Sequence, residues 1–130
     1  MTDDERAVIQ ANAYFYEAFC RQDMKRMASL WSEKELITVI HPGWPAVYGR
    51  ENVLDTWRGI LESPGSPDIT CAQVSVSVYD KIAFVICTEK LFTEDLAATN
   101  IFVFENGHWR LVHHQAGPAP SSDSSSMTMN

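Results

Sequence analysis

The turn at Asn106-Gly107 constrains this chain more than any other feature. It lies between two runs of alternating polarity. Both central positions of a tight hairpin turn of this kind need φ > 0, which Asn and Gly tolerate. A two-residue turn there opposes Glu105 to His108. The register then carries Phe104 to Trp109, Phe102 to Leu111 and Asn100 to His113, all on one face. That face is aromatic beside the turn and polar at its far end. Such a gradient suits the floor of a pocket better than a packed core.

Upstream, the periodicity predicts a helix over residues 3–22. One stripe holds Val8, Asn12, Phe15 and Phe19; an adjacent one holds Ile9, Ala13, Tyr16 and Cys20. Asp23 caps a shorter helix over 24–31. Residues 36–41 have the β-branched content of a strand. It must end at His41-Pro-Gly-Trp-Pro45, because neither proline can donate to a ladder. A third helix over 51–61 turns Val53, Leu54, Trp57, Ile60 and Leu61 inward. Gly49 caps it, so Gly49-Arg50-Glu51 reads as a helix start rather than a phosphate loop. Strands follow over 69–79, 82–92, 97–105 and 108–116. Helices, a strand, a helix and a four-stranded antiparallel meander make an α+β fold, with the helices on one face of a curved sheet. The domain covers residues 1–117; residues 118–130, rich in Ser and Pro without an apolar period, read as a disordered tail.

Carrying the registers across the meander places Glu89 beside Asn100 and Asn100 beside His113. Gln115 lies just beyond. Val74, Val76, Val78, Val85 and Cys87 share that face, and Cys71 falls on the other, so no Cys71–Cys87 disulfide is expected and buried free thiols are. A carboxylate, an amide and an imidazole at cross-strand spacing can relay hydrogen bonds and suit acid–base work. A satisfied network that only fixes the register is the alternative. His41 ends the first strand and is a second candidate base; it can equally cap the strand. The candidate catalytic residues are therefore His41, Glu89, Asn100 and His113. Phe15, Phe19, Trp44, Tyr48, Trp57, Cys87, Phe102 and Gln115 are the candidate ligand-binding residues. Trp44, between prolines, is placed to cover a pocket mouth.

Other chemistries find no motif. His113 and His114 point to opposite faces of a regular strand and cannot chelate one ion. There is no His-Glu-x-x-His, paired Cys-x-x-Cys, nucleophile elbow or dinucleotide fingerprint. Neither metal nor cofactor is expected. A net charge of −7 over 130 residues argues against nucleic acid or an anionic membrane as partner. The acidic N-terminus is unlike a signal peptide, and no apolar run is long enough to span a bilayer, so the expected location is cytoplasmic.

Three segments resemble the NTF2-like superfamily, specifically its SnoaL-like (DUF4440-type) branch. They are His41-Pro-Gly-Trp-Pro45 with Tyr48-Gly-Arg-Glu-Asn-Val-Leu-Asp-Thr-Trp-Arg58; Ala83-Phe-Val-Ile-Cys-Thr-Glu89; and Ala98-Thr-Asn-Ile-Phe-Val-Phe104 with Gly107-His-Trp-Arg-Leu-Val-His-His-Gln-Ala-Gly-Pro118. The last also resembles the association domain of the calcium/calmodulin-dependent protein kinase. The resemblance implies a cone with a pocket between helices and sheet, and commonly a homodimer through the convex face. The mixed outward residues Thr99, Ile101, Val103, Arg110, Val112 and His114 fit such a contact. In ketosteroid isomerases of this superfamily a tyrosine and two aspartates act at positions that align here with Phe15, His41 and Asn100. None of the three is kept, so that mechanism is not implied. The expected function is binding of a small, largely apolar ligand in the cone. The alternatives are a cofactor-free isomerase, cyclase or dehydratase working next to a carbonyl, and an oligomerisation module without catalysis.

Overall fold

The first helix, α1 (Asp3–Cys20), starts at a capping box. Thr2 Oγ1 accepts from the Glu5 amide at 3.0 Å, and Glu5 Oε1 accepts from the Thr2 amide at 2.7 Å. A computed structural model of the chain describes residues 1–65 and 68–120. After α1 come α2 (Met24–Ser29), β1 (Thr38–Ile40), β2 (Val47–Tyr48), α3 (Arg50–Glu62), β3 (Thr70–Tyr79), β4 (Ile82–Lys90), β5 (Asp95–Glu105) and β6 (His108–Ala119). Asp23 accepts from the Arg26 amide and caps α2 as expected. Gly49, at φ 90°, caps α3. The pair β1–β2 is new relative to the sequence reading. Tyr48 sits in it with its side chain exposed.

Among the described residues the strands form one six-stranded sheet in the order β2-β1-β6-β5-β4-β3. All neighbours are antiparallel except β1 and β6. The meander β3–β6 therefore stands as expected, and the fold is an α+β cone: a curved mixed sheet with the helices against its concave face. β6 continues through Ala119, paired with Asp95, beyond the boundary expected at residue 117. The remaining tail, 121–130, lies outside the described residues, as do Ser66 and Pro67.

Two bulges correct the expected registers. The Asn106-Gly107 turn holds (φ 51° and 81°), and with it Phe104 opposite Trp109 and Phe102 opposite Leu111. Beyond Leu111, Val112 and His113 together oppose Ile101, so Asn100 faces His114 and not His113. In β3, Gln73 (φ 55°) and Val74 together oppose Cys87. Val74 is thereby 41% exposed, and Cys71, opposite Glu89, comes round to the concave face. The cysteines are free thiols, as expected, but only Cys87 is fully buried; Cys20 is exposed, and Cys71, half-buried, shares a face with Cys87. The β4–β5 turn is longer than expected, and Glu89 pairs with Leu96 while Asn100 pairs with Val85.

The core lies between α1, α3 and the sheet. Val8, Phe15, Met27, Trp31, Val53, Trp57, Phe102 and Leu111 are all at most 1% exposed. Arg50 ties α2 to it, donating to the carbonyls of Ala28, Trp31 and Ser32. No helix among the described residues is long and apolar enough to cross a membrane.

Candidate functional site

At its wide end the cone is not filled. A cavity of about 510 Å³ opens between α1, α3, the β1 end and the far ends of β4, β5 and β6. Such a volume suits a small organic ligand. Phe15, Phe19, Trp44 and Trp57 line it, as the sequence suggested, with Ile60, Ile69, Leu91 and Leu96 completing the apolar wall. Glu89, Glu94, His41, His114 and Tyr16 supply its polar side chains.

Trp57 organises the aromatic wall from α3. Its ring packs edge-on against Phe15, Phe19 and His41 at centroid distances of 5.4, 5.8 and 4.8 Å, and lies 5.7 Å from His114. Such contacts fix ring orientations beyond what area burial alone would.

The polar floor is one connected network. Asn100, fully buried, donates from Nδ2 to Asn12 Oδ1 at 2.8 Å and to the Tyr16 hydroxyl at 3.1 Å. Its amide nitrogen is thus committed, and its Oδ1 accepts from His114 Nδ1 at 2.5 Å. That bond makes His114 a donor at Nδ1 and leaves the lone pair on Nε2. Nε2 lies 3.8 Å from Glu89 Oε2, too long for a hydrogen bond and well placed for both atoms to engage a third group. Tyr16 donates to Glu89 Oε2 at 2.7 Å and contacts Cys87 Sγ at 3.3 Å. Asn12 Nδ2 reaches Cys71 Sγ at 3.6 Å.

Burial sets the protonation states. It pushes the Glu89 carboxyl above the usual range, against the Tyr16 hydrogen bond. It lowers His114 to about 3, helped by the charges His41 and His113 would carry. It lowers His41 to about 4. Tyr16 is held up, first by burial and then by Glu89. Cys87 is lowered, chiefly by its hydrogen bond with Cys71, whose own thiol is raised. His41 is fixed in the other tautomer. Thr56 Oγ1 spends its proton on the Val53 carbonyl at 2.6 Å, so it accepts from His41 Nε2 at 2.9 Å and the lone pair stays on Nδ1.

Several sequence-based placements are corrected. His113 is outside the cavity; it faces the opposite side of β6, with Nδ1 2.6 Å from Thr38 Oγ1. His114, expected on the outward face, takes its place. Gln115 is exposed. Asn100 lies behind the floor rather than on its surface. Cys87 and Phe102 are buried on the concave face, and Tyr48 is 61% exposed; none of the three borders the cavity. The first-helix hydroxyl that reaches the floor is that of Tyr16, one residue past Phe15. Asn12 and Tyr16 were missed as site residues. The signal for Asn12 was present: an amide inside an apolar helical stripe. Among the described residues no group of three or more His, Cys, Asp or Glu is arranged to hold a metal ion.

Comparison with known proteins agrees with this architecture. The family model of the SnoaL-like domain matches residues 8–120. Among solved structures, an NTF2-like protein of Streptomyces avermitilis, described as a candidate dehydratase, shares 31% identity at a TM-score of 0.83, over 91% of this chain and 97% of that one. A candidate association domain of calcium/calmodulin-dependent protein kinase type II from Thiobacillus denitrificans shares 26% identity at a TM-score of 0.78, over 84% and 92%. An NTF2-like protein of unknown function from Pseudomonas putida, at 14% identity and a TM-score of 0.81 over 99% and 95%, shares the fold. The F-box protein SKIP8 of Arabidopsis thaliana is 26% identical over 113 residues, 85% of this chain and 49% of that protein. The chain thus spans about half the length of that relative.

Proposed function

This chain belongs to the SnoaL-like family, and we propose that its cone binds a small, largely apolar carbonyl compound and moves a proton next to the carbonyl, as an isomerase, cyclase or dehydratase does. One observation carries the reading. On the floor of an open 510 Å³ cavity, a neutral imidazole lone pair at His114 Nε2 sits 3.8 Å from a carboxyl that burial holds toward its acid form. His114 acts as base toward a C–H. Glu89, steadied by Tyr16, donates to the oxygen that gains charge. His41, with its lone pair on Nδ1 and its ring 6.5 Å from that of His114, is a second acceptor on the same side of the cavity. The likeness to a candidate dehydratase supports this chemistry. The open cavity weighs against a purely oligomerising role. Three free thiols suit a reducing compartment such as the cytoplasm.

Trp44 and Trp57 line the cavity and report occupancy. Titrating a naphthyl methyl ketone should change tryptophan fluorescence saturably. In D2O the chain should accelerate deuterium uptake at the carbon next to the carbonyl. Glu89→Gln and His114→Gln should keep binding and lose exchange by roughly 10²–10⁴-fold. A saturable signal with unchanged exchange would remove the catalytic half of the reading; no saturable signal would remove both halves.

A second proposal concerns self-association. Val74, Tyr79, Ile82 and Ile86 are 41–64% exposed on or beside the convex face, next to half-buried Phe84, Ile101, Val103 and Val112. An apolar sheet face of this kind suits a homodimer. Ile86→Lys should shift a dimer to monomer by light scattering; a wild-type monomer at micromolar concentration would end the proposal.

A further inference from the structure

We propose that the cavity is selective for uncharged ligands and rejects carboxylates and phosphate esters. This rests on reading the cone as a ligand site. The first argument is the composition of the wall. Among the described residues lining the cavity none is Lys or Arg, while Glu89 and Glu94 both line it. Residues 66, 67 and 121–130 contain neither Lys nor Arg, so no cation can come from them. An anion entering would shed its hydration with no permanent positive charge to meet it.

The second argument is the wiring of the floor. The groups there that could become cationic are His41 and His114. His41 donates Nε2 to Thr56, and His114 donates Nδ1 to Asn100. Each then offers the cavity a lone pair, which repels a carboxylate oxygen. If a proton moves from Glu89 to His114, the pair remains neutral in sum. No distribution of one proton over Glu89 and His114 leaves the floor positive. Burial, which holds both imidazoles neutral, acts in the same direction.

The third argument is what the floor can satisfy. It offers acceptors at His114 Nε2 and His41 Nδ1 and a carboxyl at Glu89 able to donate in its acid form. A hydroxyl or carbonyl uses both kinds of group without bringing charge. An ammonium would find Glu89 Oε2 already accepting from Tyr16 at 2.7 Å. The chain's net charge of −7 further lowers the local concentration of anions.

Three probes of one shape test the inference on the intact chain at pH 7: a naphthyl methyl ketone, the naphthoate anion and the naphthylmethylammonium cation. Tryptophan fluorescence reads binding of each. The ketone should bind at least ten-fold more tightly than either ion. Naphthoate binding as tightly as the ketone would overturn the selectivity while leaving the ligand site intact. Tighter binding of the ammonium would overturn it in favour of a cation cage. If no probe gives a saturable change, the ligand site itself fails and the selectivity falls with it.

Discussion

The two ends of the cone use the same kinds of side chain to opposite effect. At the narrow end Val8, Met27, Trp31, Phe102 and Leu111 close on one another, and none borders the 510 Å³ cavity. At the wide end Phe15, Phe19 and Trp57 pack along the walls and leave the middle open. The ladders differ in the same way. Near the Asn106-Gly107 turn β5 and β6 pair regularly. Toward the wide end the bulge at Val112 and His113 and the one at Gln73 and Val74 bend the sheet and re-aim His114 and Cys71 inward. Irregular pairing and the buried polar network therefore share one end, where a local break in the ladder provides room and direction.

Acid should separate the ends most strongly. Both imidazoles sit below the ordinary 6.5, at about 4 for His41 and about 3 for His114, so the folded chain binds fewer protons than the unfolded one. Their stabilisation is complete above pH 6.5 and falls as the pH drops toward those values, by about 1.4 kcal/mol per unit for each group. Glu89, raised in the fold, acts with the opposite sign: its contribution is present in acid and is lost as the pH rises through its folded value. Urea midpoints should drop between pH 6.5 and 4.5. Hydrogen exchange should quicken first around Tyr16 and His114. Uniform exchange at both ends would break the comparison.

Packing should separate them next. Leu111→Ala at the filled end should approach the upper part of the range of about 2–5 kcal/mol for such truncations. Leu96→Ala, which already borders open space, should lie near the bottom. Equal costs, measured by denaturant unfolding, would mean that the ends are equally well packed.

Asn100→Ala should cost about 1–3 kcal/mol by leaving His114 Nδ1, Tyr16 and Asn12 short of partners. It should also free His114 to populate both tautomers, visible in its ¹⁵N shifts. A single, unchanged tautomer would show that Asn100 does not set it. Trp44→Ala, at a site 46% exposed on the rim, should change stability by less than about 0.5 kcal/mol and still reduce the fluorescence response to the naphthyl ketone.

Local chemistry made much of this chain legible without a structure. Asn106-Gly107 dictated its turn because φ > 0 is tolerated there, and that turn carried the pairing out to Phe102 and Leu111. The α1 stripe, the Asp23 and Gly49 caps and the exit at His41-Pro42 followed from periodicity and backbone restriction. Glu89 and Asn100 were placed on the concave face by alternation alone. What alternation could not supply was the count across a break. A bulge adds one residue to one strand with no sequence marker, and every side chain beyond it changes face. His114 therefore replaced His113, and Cys71 joined Cys87, through tertiary structure alone. The same holds for the joining of Tyr16 and Asn12 to the floor. An amide buried in a helix must find a partner, but only the packing of α1 against β3, β4 and β5 decided which one.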